Sequence, residues 1–410
     1  MDQVGITVID SCRVSSSDTL VPVLDLGLQP LANSLKKDAD QSESKFSLSV
    51  SFCPTSSLLQ LNETVSKEAL FSQYVWVSGT SDATRTYADL FHDRLLQVAK
   101  PEKTDFILEI ASNDGTFLKP FIKSGFSNIL GVDPARNIAQ MANQQGIPTL
   151  PEFWSSQVAQ DLLTKHGPAR VIYARNVLPH VSELLDTVSG IESLLQDEGV
   201  GVIEFHDAAE IQRSLHYDSI YHEHLCYFSV ASLTYLLNRF NLVPFHIEQS
   251  PISGGSWVIY FGKTPRNPSS DLEQALNQEK EQKINELSSW ENFADSVKNH
   301  RKETLETLST VEGKTVVGFG SSARSQTYLN YCNIDDKQIS GIIDNNPLKQ
   351  NLYAPGSSIP IVDLSTGLKL KPDLIFILAW NFKDEIVSLC RSAGYDGPFL
   401  IPFPNKLYFL

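Results

Sequence analysis

Short apolar runs alternate with helical patterns through most of the chain after residue 82. A helical pattern over 84–98 precedes the apolar run 106–110, and further runs follow at 129–133, 169–173 and 199–205. Short apolar strands separated by helices are typical of a parallel sheet that is covered on both faces. This part of the sequence therefore predicts a doubly wound α/β sheet.

A second alternating unit follows a charged stretch at 268–312, in which apolar residues recur at helical spacing. That stretch predicts a long connecting helix or a pair of helices. Apolar runs at 315–320, 342–344 and 373–378 then predict a second open α/β sheet of Rossmann-like type.

The first 82 residues differ from the rest because they are rich in Ser and Thr and show no long helical pattern. They predict a small module of strands and loops with a thin core. The predicted domains are therefore 1–82, 83–262 and 263–410.

Composition narrows the possible functions. Lys and Arg number 33 against 48 Asp and Glu, and the formal net charge of −15 disfavours a general nucleic-acid-binding protein. No stretch approaches the roughly 18 consecutive apolar residues that span a bilayer. The start of the sequence lacks a secretory pattern, so we expect a cytoplasmic protein without a membrane partner. No pattern in the sequence sets an oligomeric state.

The cysteines favour reduced thiols over a disulfide framework. There are 5 of them, an odd number, and they are scattered along a large chain. Cys226, Cys332 and Cys390 are expected to be buried as small hydrophobic residues.

The loop 109–115 is the first candidate binding site. It joins a predicted strand to a predicted helix, where open α/β sheets bind ligands. Its small residues permit close approach of the backbone, and an acidic side chain there can bind a cationic or hydroxylated ligand. Asp133 ends the next strand, where a carboxylate can accept both ribose hydroxyls. The loop lacks the full G-x-G-x-x-G of a pyrophosphate site, and an ordinary tight turn is the alternative interpretation.

A cluster of histidines is the second candidate. Of 9 histidines in the chain, five fall in one short region, at 180, 206, 216, 222 and 224. Imidazole titrates near neutrality, so it can remove a proton from a weakly acidic carbon. Two alternatives remain open: a zinc site on the H-x-H pair at 222 and 224, for which this spacing alone is a weak signal, and purely structural roles.

Together these motifs resemble one family. The loop 109–115 is similar to the first motif of class I S-adenosylmethionine-dependent methyltransferases. The whole set resembles the sugar C-methyltransferases that methylate C3 of a nucleotide-linked 4-keto-6-deoxysugar, and the resemblance runs through nearly the whole chain. The segments that carry it are 24–33, 74–81, 109–115, 131–134, 176–181, 217–225, 254–256, 343–350, 353–356 and 379–382.

The resemblance implies S-adenosylmethionine as cofactor and a nucleoside-diphosphate sugar as substrate, lying between the N-terminal module and the methyltransferase sheet. It implies His224 as the base that makes an enolate, His180 and Tyr221 as donors to the oxyanion, and Glu223 as an orienting or binding group. The implied cofactor residues are Glu109, Ala111, Ser112, Asn113, Gly115, Asp133, Pro134 and Asn176. The implied substrate residues are Tyr74, Trp76, Ser78, His206 and Arg324.

The sequence departs from the family at the N-terminal module, which usually carries two C-x-x-C pairs on one zinc. Here Ser15 and Ser56 replace the second cysteine of each pair, beside Cys12 and Cys53. Neutral hydroxyls are poor zinc ligands, so we predict no tightly bound metal. The module is then expected to be held by its own apolar contacts and by docking on the next domain. Trp76 and His206 also depart from the family pattern.

Two rival functions remain. Residues 318–323 fit the G-x-G-x-x-G/A pattern, and Asp344 ends the next strand, which would suit an NAD(P)-dependent oxidoreductase. The lost cysteines would suit a non-catalytic sugar-nucleotide-binding protein.

Overall fold

The computed structural model describes residues 5–71, 77–251 and 254–410, and its first part is a small β module. A two-residue strand from much later in the chain completes the antiparallel sheet β11-β4-β3-β2, while β1 pairs with β5. The predicted strands and loops are confirmed, and the distant fourth strand was not foreseen. The elements are β1 (Ile6–Val8), β2 (Val21–Pro30), β3 (Lys45–Cys53), β4 (Leu58–Leu61), β5 (Glu63–Val65), α1 (Lys67–Phe71) and β11 (Cys226–Tyr227).

The central part is an α/β sheet with strand order β12-β13-β10-β9-β6-β7-β8. Six of its seven strands run in the same direction, and β13 runs antiparallel to both of its neighbours. The elements are α2 (Asp82–Ala99), β6 (Phe106–Ile110), α3 (Lys119–Lys123), β7 (Ile129–Val132), α4 (Arg136–Gln144), β8 (Thr149–Leu150), α5 (Ser156–His166), β9 (Ala169–Arg175), α6 (Leu184–Leu194), β10 (Leu195–His206), α7 (Ala208–Arg213), α8 (Val230–Asn238), β12 (Val243–Gln249) and β13 (Ser256–Gly262).

The predicted parallel strands are confirmed because their sequences are apolar on both faces. All five residues of β6 are buried, as a strand covered by helices on two sides requires. Helix α2 begins after Ser81, whose side chain accepts a hydrogen bond from the Thr84 amide, and it buries Phe91 and Leu95 on one stripe. The antiparallel hairpin of β12 and β13 was missed, because it adds an edge to the sheet without an intervening helix.

The C-terminal part repeats the α/β pattern with order β16-β15-β14-β17-β18-β19, of which only the last pair is antiparallel. The stretch that precedes it is a pair of helices, one of the two predicted forms. The elements are α9 (Ser270–Glu281), α10 (Leu287–Ser309), β14 (Val316–Phe319), α11 (Ala323–Cys332), β15 (Ile342–Ile343), β16 (Ile361–Val362), α12 (Leu364–Lys369), β17 (Leu374–Ile377), α13 (Lys383–Ser392), β18 (Phe399–Ile401) and β19 (Tyr408–Phe409). The fold class expected from the sequence is confirmed.

One apolar cluster runs through all three parts of the molecule. It joins Phe52 and Leu61 of the N-terminal module to Ile203 of the central sheet and to Phe376 of the C-terminal sheet. The module therefore shares its core with the next domain, as the loss of two cysteines led us to expect. The five cysteines are free and buried.

The helices that cover these sheets are amphipathic. Helix α10 is 23 residues long and buries Trp290, Phe293 and Val297 on one stripe. Its charged residues lie on the rest of its surface. Within residues 5–71, 77–251 and 254–410, no helix combines the length and the apolar character needed to cross a bilayer.

A buried carboxylate ties the central part to the C-terminal part. Asp218, 1% exposed, accepts hydrogen bonds from Arg324 Nε at 3.0 Å and Arg324 Nη2 at 2.7 Å, and from Trp380 Nε1 at 2.9 Å. The guanidinium also lies 4.8 Å from the centre of the Trp380 ring. This bidentate pair fixes the first turn of α11 against the central sheet.

We expect Asp218→Asn to lower the free energy of unfolding by about 2–3 kcal/mol, because it leaves Arg324 without its counter-charge at a largely buried site. Urea unfolding followed by tryptophan fluorescence measures the change. Asp295→Asn removes an exposed partner of Lys298 and should cost no more than about 0.5 kcal/mol. Equal stability of the two variants would contradict the importance of this contact.

Candidate active site

A cavity of about 490 Å³ opens at the carboxyl ends of β6, β7 and β9. From β6 the chain runs outward through β7 to β8 and then returns to β9 on the other side of β6, so the connections that follow β6 and β9 diverge here and leave a crevice. The predicted cofactor residues that line it follow these three strands: Ala111 and Asn113 follow β6, Asp133 and Pro134 follow β7, and Asn176 follows β9.

Three residues with left-handed backbone shape this cavity. Ala111, Asn113 and Asn176 have φ angles of 53°, 50° and 52°. Residues other than glycine seldom adopt this conformation, and these three lie in the two loops that follow β6 and β9. The chain therefore bends sharply at the carboxyl ends of β6 and β9, which opens the space above the sheet.

Asp133 holds the first loop against the second strand. Its Oδ2 accepts the Asn113 amide at 2.8 Å and its Oδ1 accepts the Ala135 amide at 2.9 Å. Burial raises the pKa of this carboxyl, while the two amide hydrogen bonds act in the opposite direction. Each oxygen keeps a second lone pair, so the group retains acceptor capacity toward the cavity.

The other three predicted cofactor residues lie behind the cavity wall. Glu109 points away from the cavity that its strand neighbour Ile110 lines, because successive side chains alternate between the faces of a sheet. Its carboxylate accepts the Tyr173 hydroxyl at 3.4 Å, and burial raises its pKa well above the usual range. Ser112 is buried. Gly115 has a φ of 74°, and a Cβ there would lie 2.6 Å from Ile147 Cγ2, so it allows the close approach of the loop.

Several lining residues were missed by the sequence reasoning. Phe153 and Trp154 follow the end of β8, and Asp186 lies in the first turn of α6. The adjacent aromatic pair after a strand end was a usable signal, because it occupies the same edge of the sheet as the other loops. Lys67 and Phe71 come from α1 of the N-terminal module, and no local pattern marks them.

The histidine-rich residues 217–227, which we call the junction segment, contact every part of the molecule. Asn33 of the N-terminal module donates to Glu223 Oε1 at 2.6 Å, and His222 donates to the Ser47 carbonyl at 3.0 Å. Thr327 of the C-terminal part donates to the Ile220 carbonyl at 3.1 Å. The segment is therefore fixed where the three parts meet.

His224 has a defined tautomer. Its Nδ1 lies 2.8 Å from the Ser219 carbonyl, which can only accept, so Nδ1 carries the proton. Nε2 is then the basic nitrogen, and it accepts the Tyr221 hydroxyl at 2.9 Å. Burial, followed by the neighbouring His180, lowers the pKa of His224 well below its usual range, so the ring stays neutral and basic at neutral pH.

His180 lines the cavity and also packs against the ring of His224. Its ring centre lies 4.8 Å from that of His224, and its Nδ1 donates to the Glu223 carbonyl at 2.7 Å. Burial lowers the pKa of His180 to about 4, so its Nε2 bears no proton at neutral pH. The donor role toward an oxyanion that the resemblance implied for His180 does not agree with this tautomer, because Nε2 is an acceptor.

The predicted substrate residues divide into two groups. Ser78 lines the cavity, and its amide donates to Asn113 Oδ1 at 2.9 Å. His206 and Arg324 do not line the cavity. Arg324 pairs with Asp218 at the contact with the C-terminal part, and the ring of His206 stacks on that of His216 with their centres 6.2 Å apart. Burial, followed by the charge of Arg324, lowers the pKa of His206 to about 3. Tyr74 and Trp76 lie outside the described residues.

The H-x-H pair does not converge on one point. His222 faces Ser47 while His224 faces Ser219 and Tyr221. In the part of the chain that the structure describes, no three His, Cys, Asp or Glu side chains are grouped to hold a metal ion.

The C-terminal glycine loop is engaged with its own domain. Asp344 accepts the Ser321 amide at 2.9 Å and the Asn346 amide at 2.8 Å. Lys349 donates to the Ser321 carbonyl at 2.7 Å. The loop thus forms a local network, in contrast to the open cavity of the central sheet.

Three family models match consecutive parts of the chain. They are described as "Putative zinc binding domain" over residues 12–71, "Methyltransferase domain" over 81–247 and "C-methyltransferase C-terminal domain" over 251–404.

The chain is also similar to individual proteins. The magnesium protoporphyrin IX methyltransferase of Synechocystis is 13% identical, with a TM-score of 0.35 over 44% of this chain and 83% of that one. A methyltransferase of Clostridium acetobutylicum is 12% identical, with a TM-score of 0.36 over 46% and 94%. C-methyltransferase NovU of Streptomyces niveus is 30% identical over 97% of this chain and 96% of its own. The chain therefore belongs to the C-methyltransferase family.

Proposed function

We propose that the protein transfers a methyl group from S-adenosylmethionine to C3 of a nucleoside-diphosphate-linked 4-keto-6-deoxysugar, as a step of deoxysugar biosynthesis. The observation that carries this proposal is the tautomer of His224, a neutral imidazole whose ring centre lies 4.8 Å from that of the cavity-lining His180. A methyl transfer to carbon needs such a base, because a C–H bond must first give up its proton.

The cavity of the central sheet suits S-adenosylmethionine. The cavity is lined by three carboxylates, those of Asp133, Glu183 and Asp186, against two cationic side chains, Lys67 and Arg175. The loop also lacks a pyrophosphate-binding glycine motif. This combination favours a cationic ligand without phosphate. Asp133 would accept the ribose hydroxyls, while Ala111, Asn113, Pro134 and Asn176 would contact the rest of the nucleoside. When bound, the cofactor supplies an electrophilic methyl group on a sulfonium.

His224 would remove the C3 proton, which the neighbouring 4-keto group acidifies. Nε2 has a single lone pair, which accepts the Tyr221 hydroxyl, so the phenol would have to turn away before Nε2 could take the C3 proton. The phenol then becomes available to the developing oxyanion at the sugar C4, which it would stabilise by a hydrogen bond. Tyr221 is thus the donor that the hydrogen-bond pattern supports, and His180 positions the ring of His224.

The substrate position would be set by residues around the junction segment. Glu223 is held by Asn33, and its backbone carbonyl holds His180, so the N-terminal module and the base are coupled through one residue. Ser78 lines the cavity. Burial raises the pKa of Glu223, which makes its carboxyl a suitable partner for a neutral sugar hydroxyl. Tyr74, Trp76, His206 and Arg324 are the further contacts we propose for the sugar nucleotide.

The direct test is incubation with S-adenosylmethionine and a panel of 4-keto-6-deoxy sugar nucleotides that differ in sugar and in nucleotide. Mass spectrometry should show a gain of one methyl group, and carbon NMR should assign it to C3. Methylation on oxygen, or no transfer to any member of the panel, would contradict the proposal. Nicotinamide dinucleotides should show no saturable binding, a result that would exclude the oxidoreductase alternative. Methyl transfer itself would exclude a non-catalytic sugar-nucleotide-binding protein.

We expect His224→Ala to lower kcat by a factor of about 10²–10⁴ or more while leaving the affinity for S-adenosylmethionine nearly unchanged, because the base acts only on the acceptor. In D₂O without methyl donor, the unaltered enzyme should exchange the C3 hydrogen of the ketosugar, and the variant should not. His222→Gln is the control, since that imidazole faces Ser47. Near-normal exchange of the C3 hydrogen by His224→Ala would show that His224 is not the base.

Asp133→Ala should weaken S-adenosylmethionine binding about 10-fold to 100-fold, because a hydrogen bond to a charged group contributes about 1.5–3 kcal/mol. Titration calorimetry measures the affinity, and circular dichroism checks that the loop anchored on Asp133 has not unfolded the protein. Asp161→Ala, at an exposed position of α5, is the matched control. An unchanged affinity would place the ribose elsewhere.

The pH profile of kcat/KM should lack a limb at the usual histidine pKa. Because burial lowers the pKa of His224 well below its usual range, the ring is already unprotonated near the usual histidine pKa of about 6.5. We therefore expect kcat/KM to stay level as the pH falls through about 6.5 and to decrease only at lower pH. An acid limb at about pH 6.5 or above would show that the base titrates normally.

A further inference from the structure

Four small polar side chains meet between two turns of the N-terminal module, where the matched family model describes zinc binding. Cys12 Sγ lies 3.2 Å from Ser56 Oγ, and Ser15 Oγ lies 3.4 Å from Cys53 Sγ. The four groups thus form two thiol–hydroxyl pairs across the turns, one member of each pair coming from each turn.

The two turns share the same local geometry. In each, a cysteine is followed three residues later by a serine, and the next residue, Ser16 or Ser57, has a left-handed φ of 60° or 56°. The amides of Val14 and Ser15 donate to Cys12 Sγ at 3.4 Å and 3.3 Å. Amide hydrogen bonds of this kind orient a sulfur toward the centre of the cluster, in the way that hydrogen bonds to metal ligands orient those ligands toward the ion.

The residues present do not fit a structural zinc ion. Such a site takes four thiolate or imidazole ligands in a tetrahedron, and a serine hydroxyl is neutral near pH 7. Two thiolates leave half of the tetrahedron without a protein ligand, so tight binding is not expected.

From these turns we infer that the cluster is a metal-free replacement of a tetrahedral site, in which thiol–hydroxyl hydrogen bonds take the place of the ion. We infer in addition that thiols at positions 15 and 56 alone would suffice to create a tight zinc site. The backbone that presents the four side chains is already in place, so the missing element is ligand chemistry and not geometry.

The contacts around the turns explain why the module needs no ion. Cys53, Phe52 and Leu58 are fully or almost fully buried in the cluster shared with the central part. Arg239 of the central part donates to the Val14 carbonyl, and Ser57 donates to the Asn285 carbonyl at 3.4 Å. The first turn and the hairpin between β3 and β4 are therefore anchored from outside the module.

A metal ion also has a route to the cluster. Cys12 lines a second cavity of about 390 Å³, together with Ser11, Arg13 and Ser16 of the module and Glu183 of the central part. An entry path is one requirement of a functional metal site, beside ligand count and a supporting shell.

The test uses the full chain, first stripped with a chelator and then supplied with zinc. Ser15→Cys/Ser56→Cys should retain about one zinc per chain after gel filtration, and cobalt in its place should give the visible absorption of a tetrahedral thiolate site. The unaltered protein should retain well under one. Ser16→Cys/Ser57→Cys, which adds two thiols one residue further along each turn, is the matched control and should also retain well under one.

Thermal unfolding supplies a second readout, independent of methyl transfer. A chelator should lower the Tm of the zinc-loaded Ser15→Cys/Ser56→Cys protein and leave that of the unaltered protein unchanged. A stoichiometric zinc in the unaltered protein, or a chelator-sensitive Tm, would overturn the inference without requiring any variant to fold. A folded double variant that retains no zinc would overturn it as well.

Discussion

The junction segment is the constraint on which the rest of the molecule depends. The Leu225 amide donates to the Pro179 carbonyl and the Leu225 carbonyl accepts the Leu61 amide, so this stretch is tied to the central sheet and to the N-terminal module by its own backbone. Asp218 ties it to the C-terminal part. Because buried polar groups need partners, moving any one of the three parts would leave hydrogen bonds of this segment unmade.

The same constraint sets the chemistry of the site. The carbonyl of Ser219 fixes the tautomer of His224, and burial keeps the ring neutral. A carbonyl of the junction segment does the same for His180. Two imidazoles side by side would repel if both were charged, so their lowered pKa values are part of how the pair can be buried together. The backbone around His224 thus sets the tautomer that the proposed base requires.

The N-terminal module illustrates how a fold can keep its shape when ligands are lost. In a small isolated module, a metal compensates for a core that is too thin. Here Leu61 and Phe52 belong to a core that extends into the central sheet, and Arg239 reaches back to the first turn. Apolar burial and contacts with the neighbouring domain therefore stabilise the module, and the metal-free cluster that we infer rests on them.

The sequence by itself determined the parallel strands, because runs such as 106–110 and 316–319 are apolar on both faces and can be buried only between helices. It also marked the loops at strand ends, since chain order and topology bring them to one edge. Only the tertiary structure decided that Glu109 faces the core while its neighbour Ile110 faces the cavity, that Cys226 of β11 pairs with Gln60 of a sheet formed much earlier in the chain, and that Lys67 lines the cavity of the central sheet. The physical reason is that side-chain direction and long-range pairing depend on what packs opposite, which local patterns do not encode.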